Sequence, residues 1–369
     1  MNVIFTCGGT AGHVNPALAL AGYMKKKDPD LNILFVGTPN GMEKGLVEKS
    51  GYAFAGVDVS NFHRSIKDLK HNLHTARTLI TSRVEAKRIL SSFKPDLVVG
   101  TGGYASYPMI RAAAARGIPT AVHESNMIPG LTTRMLEGSA GRIMVGFEEC
   151  RQHYKSPEKI VVTGTPVRGD FFDLTPAEAR RKLGYTDNRP LVVSFWGSLG
   201  ASGMNNQMLD FFRAEKAASF PFHHIHACGK NSWDAMRQHI LESGLENPSL
   251  DVRQYIYDMA VVMRAADLVI CRAGASTISE LTALGMPAII VPSPYVVANH
   301  QEKNARILEK HGGAVVITEP ESSGEKLFRA AADILNDESR RETMAKNMAS
   351  LGILDATERI YETVIGLLK

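Results

Sequence analysis

The sequence predicts an α/β protein of two parallel-sheet domains, and three observations predict it. At 369 residues the chain exceeds one ordinary domain, so two are the natural expectation. Short runs rich in Val, Ile and Leu alternate almost throughout with longer helical patterns, as parallel strands covered on both faces by helices require. Two segments also echo each other. Val3-Ile-Phe-Thr-Cys-Gly-Gly-Thr-Ala-Gly-His13 and Val192-Val-Ser-Phe-Trp-Gly-Ser-Leu-Gly-Ala201 each run a buried strand into a glycine-rich turn and a helix, like the first βα unit of a Rossmann-type domain.

In chain order, the first half offers strands at Asn2–Thr6, Asn32–Val36, Asp96–Gly100, Pro119–His123, Arg142–Val145 and Lys159–Thr163. The second half offers Pro190–Ser194, His223–Ala227, Asp267–Cys271, Ala288–Val291 and Ala314–Ile317. The joint is expected within Gly164–Asn188, where Pro166, Pro176 and a charged run break the pattern. The domains are therefore drawn as 1–164 and 165–339, with a terminal helix over 340–369 crossing back onto the first. Two such domains facing across a cleft would place ligands outside the carboxyl ends of the strands.

Composition excludes several classes. Hydrophobic residues at 44% and charged residues at 22% describe an ordinary soluble chain able to bury two cores. A net charge of +4 is too small to argue for nucleic acid, yet it suits an anionic substrate or surface if concentrated. No apolar run approaches the ~20 residues that span a bilayer, and Met1-Asn2 leads straight into a strand without a signal peptide. The four cysteines, Cys7, Cys150, Cys228 and Cys271, lack CxxC spacing and read as small buried hydrophobes of a cytoplasmic protein.

The most informative segment is Ile270-Cys-Arg-Ala-Gly-Ala-Ser-Thr-Ile-Ser-Glu280. Its strand ends in a glycine turn that opens a helix at Ala275, Ser276 and Thr277, where free N–H groups favour phosphate. One turn on, the Glu280 carboxylate can accept from both hydroxyls of a ribose, which suits a nucleoside diphosphate held without metal. Gly8-Gly-Thr-Ala-Gly-His13 is a second anion-binding turn but not the dinucleotide GxGxxG, and Val36-Gly37 puts no acid at the ribose position, so NAD is not expected. His13, where this loop meets the helix, is a candidate general base, because imidazole titrates near neutrality. Its plainer reading is a hydrogen bonder at a helix start.

Gly100-Thr-Gly-Gly-Tyr104 adds another glycine loop on the same side of the same domain. His123-Glu-Ser-Asn126 closes the next strand with four polar residues. Asn126 suits sugar hydroxyls there, and Glu124 is placed to orient His13 or a substrate. In the second half, Ser198 offers a hydroxyl and amides to phosphate, Arg168 a guanidinium, and His300-Gln301 polar groups for a sugar. Asp28-Pro-Asp30 matches a metal-binding DxD in letters only, so no metal is expected. Finally, Ile66, Leu69, Leu73, Ala76 and Leu79 form a helical stripe. Arg64, Lys67, Lys70, His71, His74, Arg77 and Arg83 surround it, a coat suited to anionic lipid headgroups.

In this order, these motifs resemble the MurG family, along nearly the whole chain: Gly8–Pro16, Gly100–Tyr104, His123–Asn126 with Pro129–Leu131, Gly164–Arg168, Gly197–Ala201, Asp258-Met259, Cys271–Glu280 and Asn299–Ala305. The resemblance implies a GT-B fold and inverting, metal-independent transfer of N-acetylglucosamine. The donor would be UDP-N-acetylglucosamine and the acceptor an undecaprenyl-pyrophosphoryl muramoyl-pentapeptide at the cytoplasmic membrane face, with no cofactor. It further implies that Ile256 meets uracil through its backbone and that Ala275–Glu280 hold ribose and diphosphate. Ser198 and Arg168 would take phosphate, Asn126 and Gln301 would touch the amino sugar, and Thr10, Ala11 and Gly12 would line the donor–acceptor junction. His13 would be the base.

Three departures from the family pattern stand out: Ala11 in place of a glycine, Trp196 in place of a glycine, and His300 in place of a glutamine. If position 11 needs φ > 0, alanine costs of order 1 kcal/mol. Rival readings are a UDP-N-acetylglucosamine 2-epimerase of the same plan, a transferase making glycolipids from diacylglycerol, and a non-catalytic nucleotide-sugar-binding scaffold.

Overall fold

The computed structural model describes residues 1–59, 69–197, 200–296 and 299–369, with backbone alone at Ala11 and residues 69–80. The chain divides into two compact units, Met1–Val167 with Ile353–Lys369, and Arg168–Gly352. Most of the basic stripe read from the sequence lies outside these residues or their described side chains. So does Ser198.

The first unit holds β1 (Asn2–Thr6), β2 (Asn32–Gly37), β3 (Ala53–Gly56), β4 (Leu97–Gly100), β5 (Thr120–Glu124), β6 (Arg142–Val145) and β7 (Ile160–Val162). They form one parallel sheet in the order β3-β2-β1-β4-β5-β6-β7. Alternation along β1 sends Val3 and Phe5 into one core and Ile4 into the other, so helices must cover both faces. One cover comes from the far end of the chain: Ile360 and Val364, on helix Ala356–Ile365, pack with Val3 and Phe5.

The second unit holds β8 (Leu191–Phe195), β9 (His223–Ala227), β10 (Leu250–Arg253), β11 (Leu268–Cys271), β12 (Ala288–Ile290) and β13 (Ala314–Val316). This sheet is also parallel, in the order β10-β9-β8-β11-β12-β13. The three histidines of β9 are buried. Ser194 Oγ lies 2.8 Å from His224 Nε2 and 2.7 Å from His226 Nδ1, and His224 Nδ1 lies 2.8 Å from Glu215 Oε1. The array has the composition of a hydrolase triad, but all four residues are buried. It is a polar network inside the core, with Glu215 Oε2 and His226 Nε2 left without a partner, where no substrate reaches.

Three expectations are corrected. β3 and β10 were not read from the sequence: both are edge strands, and all four residues of β10 are only half-buried, so neither carries a continuous apolar run. The terminal stretch from 340 does not return as one helix. Helix Glu338–Ser350 stays with the second unit, where Met344 and Met348 are buried, and the return begins at Ile353. Ala11 needs no positive φ. It is the first residue of helix Ala11–Lys27, and the left-handed turn falls at Gly9 (φ +86°).

Candidate functional site

Each sheet reverses its strand order once, between β1 and β4 in the first unit and between β8 and β11 in the second. The loops leaving the carboxyl ends of those strands splay apart, which makes the reversal the place where an open α/β sheet binds ligands. The glycine turns Gly8–Thr10 and Thr101–Tyr104 leave one such pair, and Trp196-Gly197 and Arg272–Ala275 leave the other.

In the first unit the site is built around His13. Its Nδ1 lies 2.8 Å from the Gly8 carbonyl oxygen. A carbonyl only accepts, so Nδ1 carries the proton and Nε2 keeps its lone pair. From β4, Thr101 Oγ1 donates to the His13 carbonyl at 2.6 Å. Gly102 and Gly103, at φ +109° and +83°, give the ring room: a Cβ on Gly102 would lie 2.6 Å from His13 Cδ2, and one on Gly103 would lie 2.2 Å from the Gly8 oxygen.

Glu124 does not orient His13. Its carboxylate is 4% exposed and accepts from Asn126 N (3.0 Å), Asn126 Nδ2 (3.1 Å), Gly130 N (2.9 Å) and Thr133 Oγ1 (2.8 Å). Those bonds shape the loop that carries Asn126, and Gly8 takes the partner role at His13. Replacing Glu124 with alanine leaves buried donors unmatched, at a cost of about 1–3 kcal/mol. A thermal melt of Glu124→Ala should therefore fall by several degrees; an unchanged melt would remove Glu124 as the loop's anchor. His123 is likewise structural. Its Nε2 donates to the Gly164 carbonyl at 2.9 Å, and burial pushes its pKa down, so the ring is neutral.

In the second unit a cavity of about 850 Å³ is lined by Trp196, Gly197, Arg272, Thr277, Gln301 and Glu319, among others. Helix Ala275–Leu284 starts at its edge behind Gly274 and presents its unbonded N–H groups there. Ser276 Oγ is buried without a partner. Gln301 Oε1 accepts from Ser293 N at 2.9 Å, which directs its two Nε2 hydrogens to other acceptors. His300 is the first residue of helix His300–Lys310, after Asn299 at φ +51°. The structure thus brings Thr277 and Gln301 to one cavity.

A second grouping lies one helical turn on. Burial pushes the Glu280 carboxyl up to about 7, Arg168 opposes the shift and Asp170 adds to it. Arg168 is 55% exposed, pairs with Asp170 at 3.0 Å and lies 5.5 Å from the centre of the Phe171 ring. Ile256 is buried between the exposed Tyr255 and Tyr257, whose rings meet edge-on at 4.9 Å.

Sequence reasoning missed Arg272 and Glu319. They pair at 2.6 Å in the cavity wall, with the guanidinium 5.7 Å from the centre of the Trp196 ring. Trp196 itself is buried, so it builds that wall. Nothing local announces a pair so distant in sequence. Among the described residues no group of three His, Cys, Asp or Glu side chains is placed to hold a metal ion, and no helix is long and apolar enough to cross a membrane.

Two parallel-sheet α/β domains, each with a glycine-turn site at its strand-order reversal, are the plan of the GT-B glycosyltransferases. Residues 3–145 match the glycosyltransferase family 28 N-terminal domain, and residues 191–360 the glycosyltransferase family 28 C-terminal domain. The chain is 42% identical, over its whole length and 99% of the relative's, to the UDP-N-acetylglucosamine--N-acetylmuramyl-(pentapeptide) pyrophosphoryl-undecaprenol N-acetylglucosamine transferase of Acetivibrio thermocellus. The crystal structure of Acinetobacter baumannii MurG superposes with a TM-score of 0.78 at 26% identity, covering 99% of each chain. The chain belongs to the MurG family. A UDP-GlcNAc 2-epimerase from Neisseria meningitidis, at TM-score 0.66 and 13% identity over 99% of this chain and all of that one, shares the fold alone.

Proposed function

We propose that this chain transfers N-acetylglucosamine from UDP-N-acetylglucosamine to the C4 hydroxyl of N-acetylmuramyl-pentapeptide on pyrophosphoryl-undecaprenol, at the cytoplasmic face of the membrane. The observation that carries this reading is the full-length kinship with a transferase of that name. The acceptor oxygen attacks the anomeric carbon, the bond from that carbon to the β-phosphate oxygen breaks, and UDP leaves with inversion. His13 Nε2, its lone pair kept free by the Gly8 bond, takes the hydroxyl proton.

Negative charge grows on the β-phosphate as the bond breaks. The N–H groups at Ala275–Thr277 supply preorganised donors for it, with Arg168 and Ser198 assigned to the same diphosphate. Ile256 reads the base, Glu280 the ribose, and Asn126, His300 and Gln301 the amino sugar. Thr10, Ala11 and Gly12 line the path of the acceptor. With the charge met this way, turnover should persist in EDTA.

The test supplies labelled UDP-N-acetylglucosamine with and without a short-chain lipid acceptor. Label moving into the lipid supports transfer. An altered nucleotide sugar formed without acceptor would favour the epimerase reading, and binding without turnover a scaffold.

Glu280 gives an independent check on donor placement. With its carboxyl near 7 in the free protein, it is partly protonated below that pH. Ribose hydroxyls donating to it favour the charged form and lower that value, so UDP binding at pH 6.5 should release a proton and tighten as pH rises toward 8. Calorimetry in buffers of different ionisation enthalpy measures the release. The nucleotide's own phosphate also titrates nearby, so the readout is the difference between wild type and Glu280→Gln. Equal release from both would remove Glu280 from the ribose site.

A further inference from the structure

Glu43 belongs to no motif read from the sequence, yet it sits under the loop that carries His13. It is the second residue of helix Met42–Lys49, and its side chain is 0% exposed. One carboxylate oxygen, Oε1, accepts from Thr38 N at 2.8 Å and from Thr38 Oγ1 at 2.5 Å. The other, Oε2, accepts from Gly9 N at 3.3 Å. The packing leaves no slack, because a Cβ on Gly8 would lie 2.7 Å from Glu43 Oε1.

The Gly9 N–H and the Gly8 carbonyl are the two ends of a single peptide group. One end is held by Glu43, and the other accepts from His13 Nδ1 at 2.8 Å. Hydrogen bonds in series polarise one another, so a negative charge at the N–H end makes the carbonyl oxygen a stronger acceptor. A stronger acceptor there favours the Nδ1–H tautomer of the imidazole. The arrangement has the logic of a carboxylate–histidine pair with one peptide group inserted between the partners.

We propose that Glu43 is a positioning residue for the transfer: through the Gly8–Gly9 peptide it holds His13 with Nδ1 protonated and Nε2 free to accept the substrate proton. The proposal rests on the reading of His13 as the base. Glu43 is suited to the task because it stays ionised. Burial pushes its carboxyl up, but the bonds from Thr38 and Gly9 outweigh burial and hold it below the usual carboxylate range. Its charge is also felt at Cys7, where burial, followed by Glu43, pushes the thiol up to about 12. A glutamine at 43 keeps the volume, but its amide has one acceptor oxygen for the two places and no charge, so either Thr38 N or Gly9 N loses its acceptor and the negative charge behind the peptide is gone.

The first test needs no variant. The ¹⁵N spectrum of histidine-labelled wild-type protein, with His13 assigned by its loss in His13→Ala, should show Nδ1 protonated and Nε2 bare. The opposite tautomer overturns the proposal even if Glu43→Gln proves too unstable to purify. In Glu43→Gln the spectrum should move toward the mixed tautomers of a solvated imidazole. Its kcat should drop at least of order 10–100-fold with KM for the donor nearly unchanged, the range seen when the partner behind a metal-ligating histidine is removed. If His13→Ala loses kcat but Glu43→Gln keeps both wild-type kcat and wild-type tautomer, the base stands and the relay falls. If His13→Ala keeps kcat, the base reading fails and takes the proposal with it.

Discussion

Replacing His13 with alanine should lower kcat for sugar transfer by about 10²–10⁴-fold, the usual contribution of a positioned general base. The acceptor hydroxyl cannot shed its proton unaided near neutral pH, and a side chain whose unprotonated nitrogen is already selected lowers that barrier. In His13 the choice is made by the 2.8 Å bond from Nδ1 to the Gly8 carbonyl, which no tautomer but Nδ1–H can form. His13→Gln should fall nearly as far, because an amide oxygen is too weak a base to take the proton. UDP binding is assigned to Ala275–Glu280 in the other compact unit, so its affinity should stay within about twofold in both variants. Steady-state turnover on a short-chain lipid acceptor, with UDP titrated separately, decides the matter. A loss of kcat under threefold would deny His13 the proton.

Gly103→Ala should be nearly as damaging, for a different reason. At φ +83° an L side chain is strained wherever it points, and the new Cβ would lie 2.2 Å from the Gly8 oxygen and 2.8 Å from the Gly8 carbon. Both are backbone atoms, so no rotamer change relieves the clash and the loop itself must shift. The atom displaced is the acceptor that orients His13. Strain of this kind costs about 1–3 kcal/mol. A misplacement near 1 Å at a reacting group can cost about 10²-fold in rate. Gly117→Ala separates the two effects: φ there is +70°, but nothing lies within 4 Å of the added carbon. It should lose stability and keep kcat, whereas Gly103→Ala should lose both. Equal kcat in the two variants would mean that the contact with Gly8 does not govern the site.

The site was only partly legible in the sequence. The glycine turns after β1, β4, β8 and β11 could be read because each is a contiguous run of residues whose composition states the backbone it needs. His13 and Thr277 were found because they sit beside such turns, and Gln301 because it follows a strand and a proline-containing loop. Glu124 was noticed as one of four polar residues closing a strand and given the wrong partner, since adjacency in sequence does not say where a carboxylate points; its bonds stay within its own loop. Glu43 and Glu319 were invisible. Each lies in an unremarkable stretch and acquires a role only from a group far away in the chain.

The sequence by itself determined the two-domain α/β architecture, most strands and the glycine turns, because hydrophobic period and turn chemistry are properties of neighbouring residues. Tertiary structure alone decided which peptide holds His13 and which carboxylate holds that peptide. It also decided that Arg272 spends its charge on Glu319 and that the chain crosses back at Ile353. Gly9 and Glu43 are 34 residues apart, and Thr101 and His13 are 88. Hydrogen bonds across such separations form only once β1, β2 and β4 pair in register, so their partners are set by the packed sheet and not by local pattern.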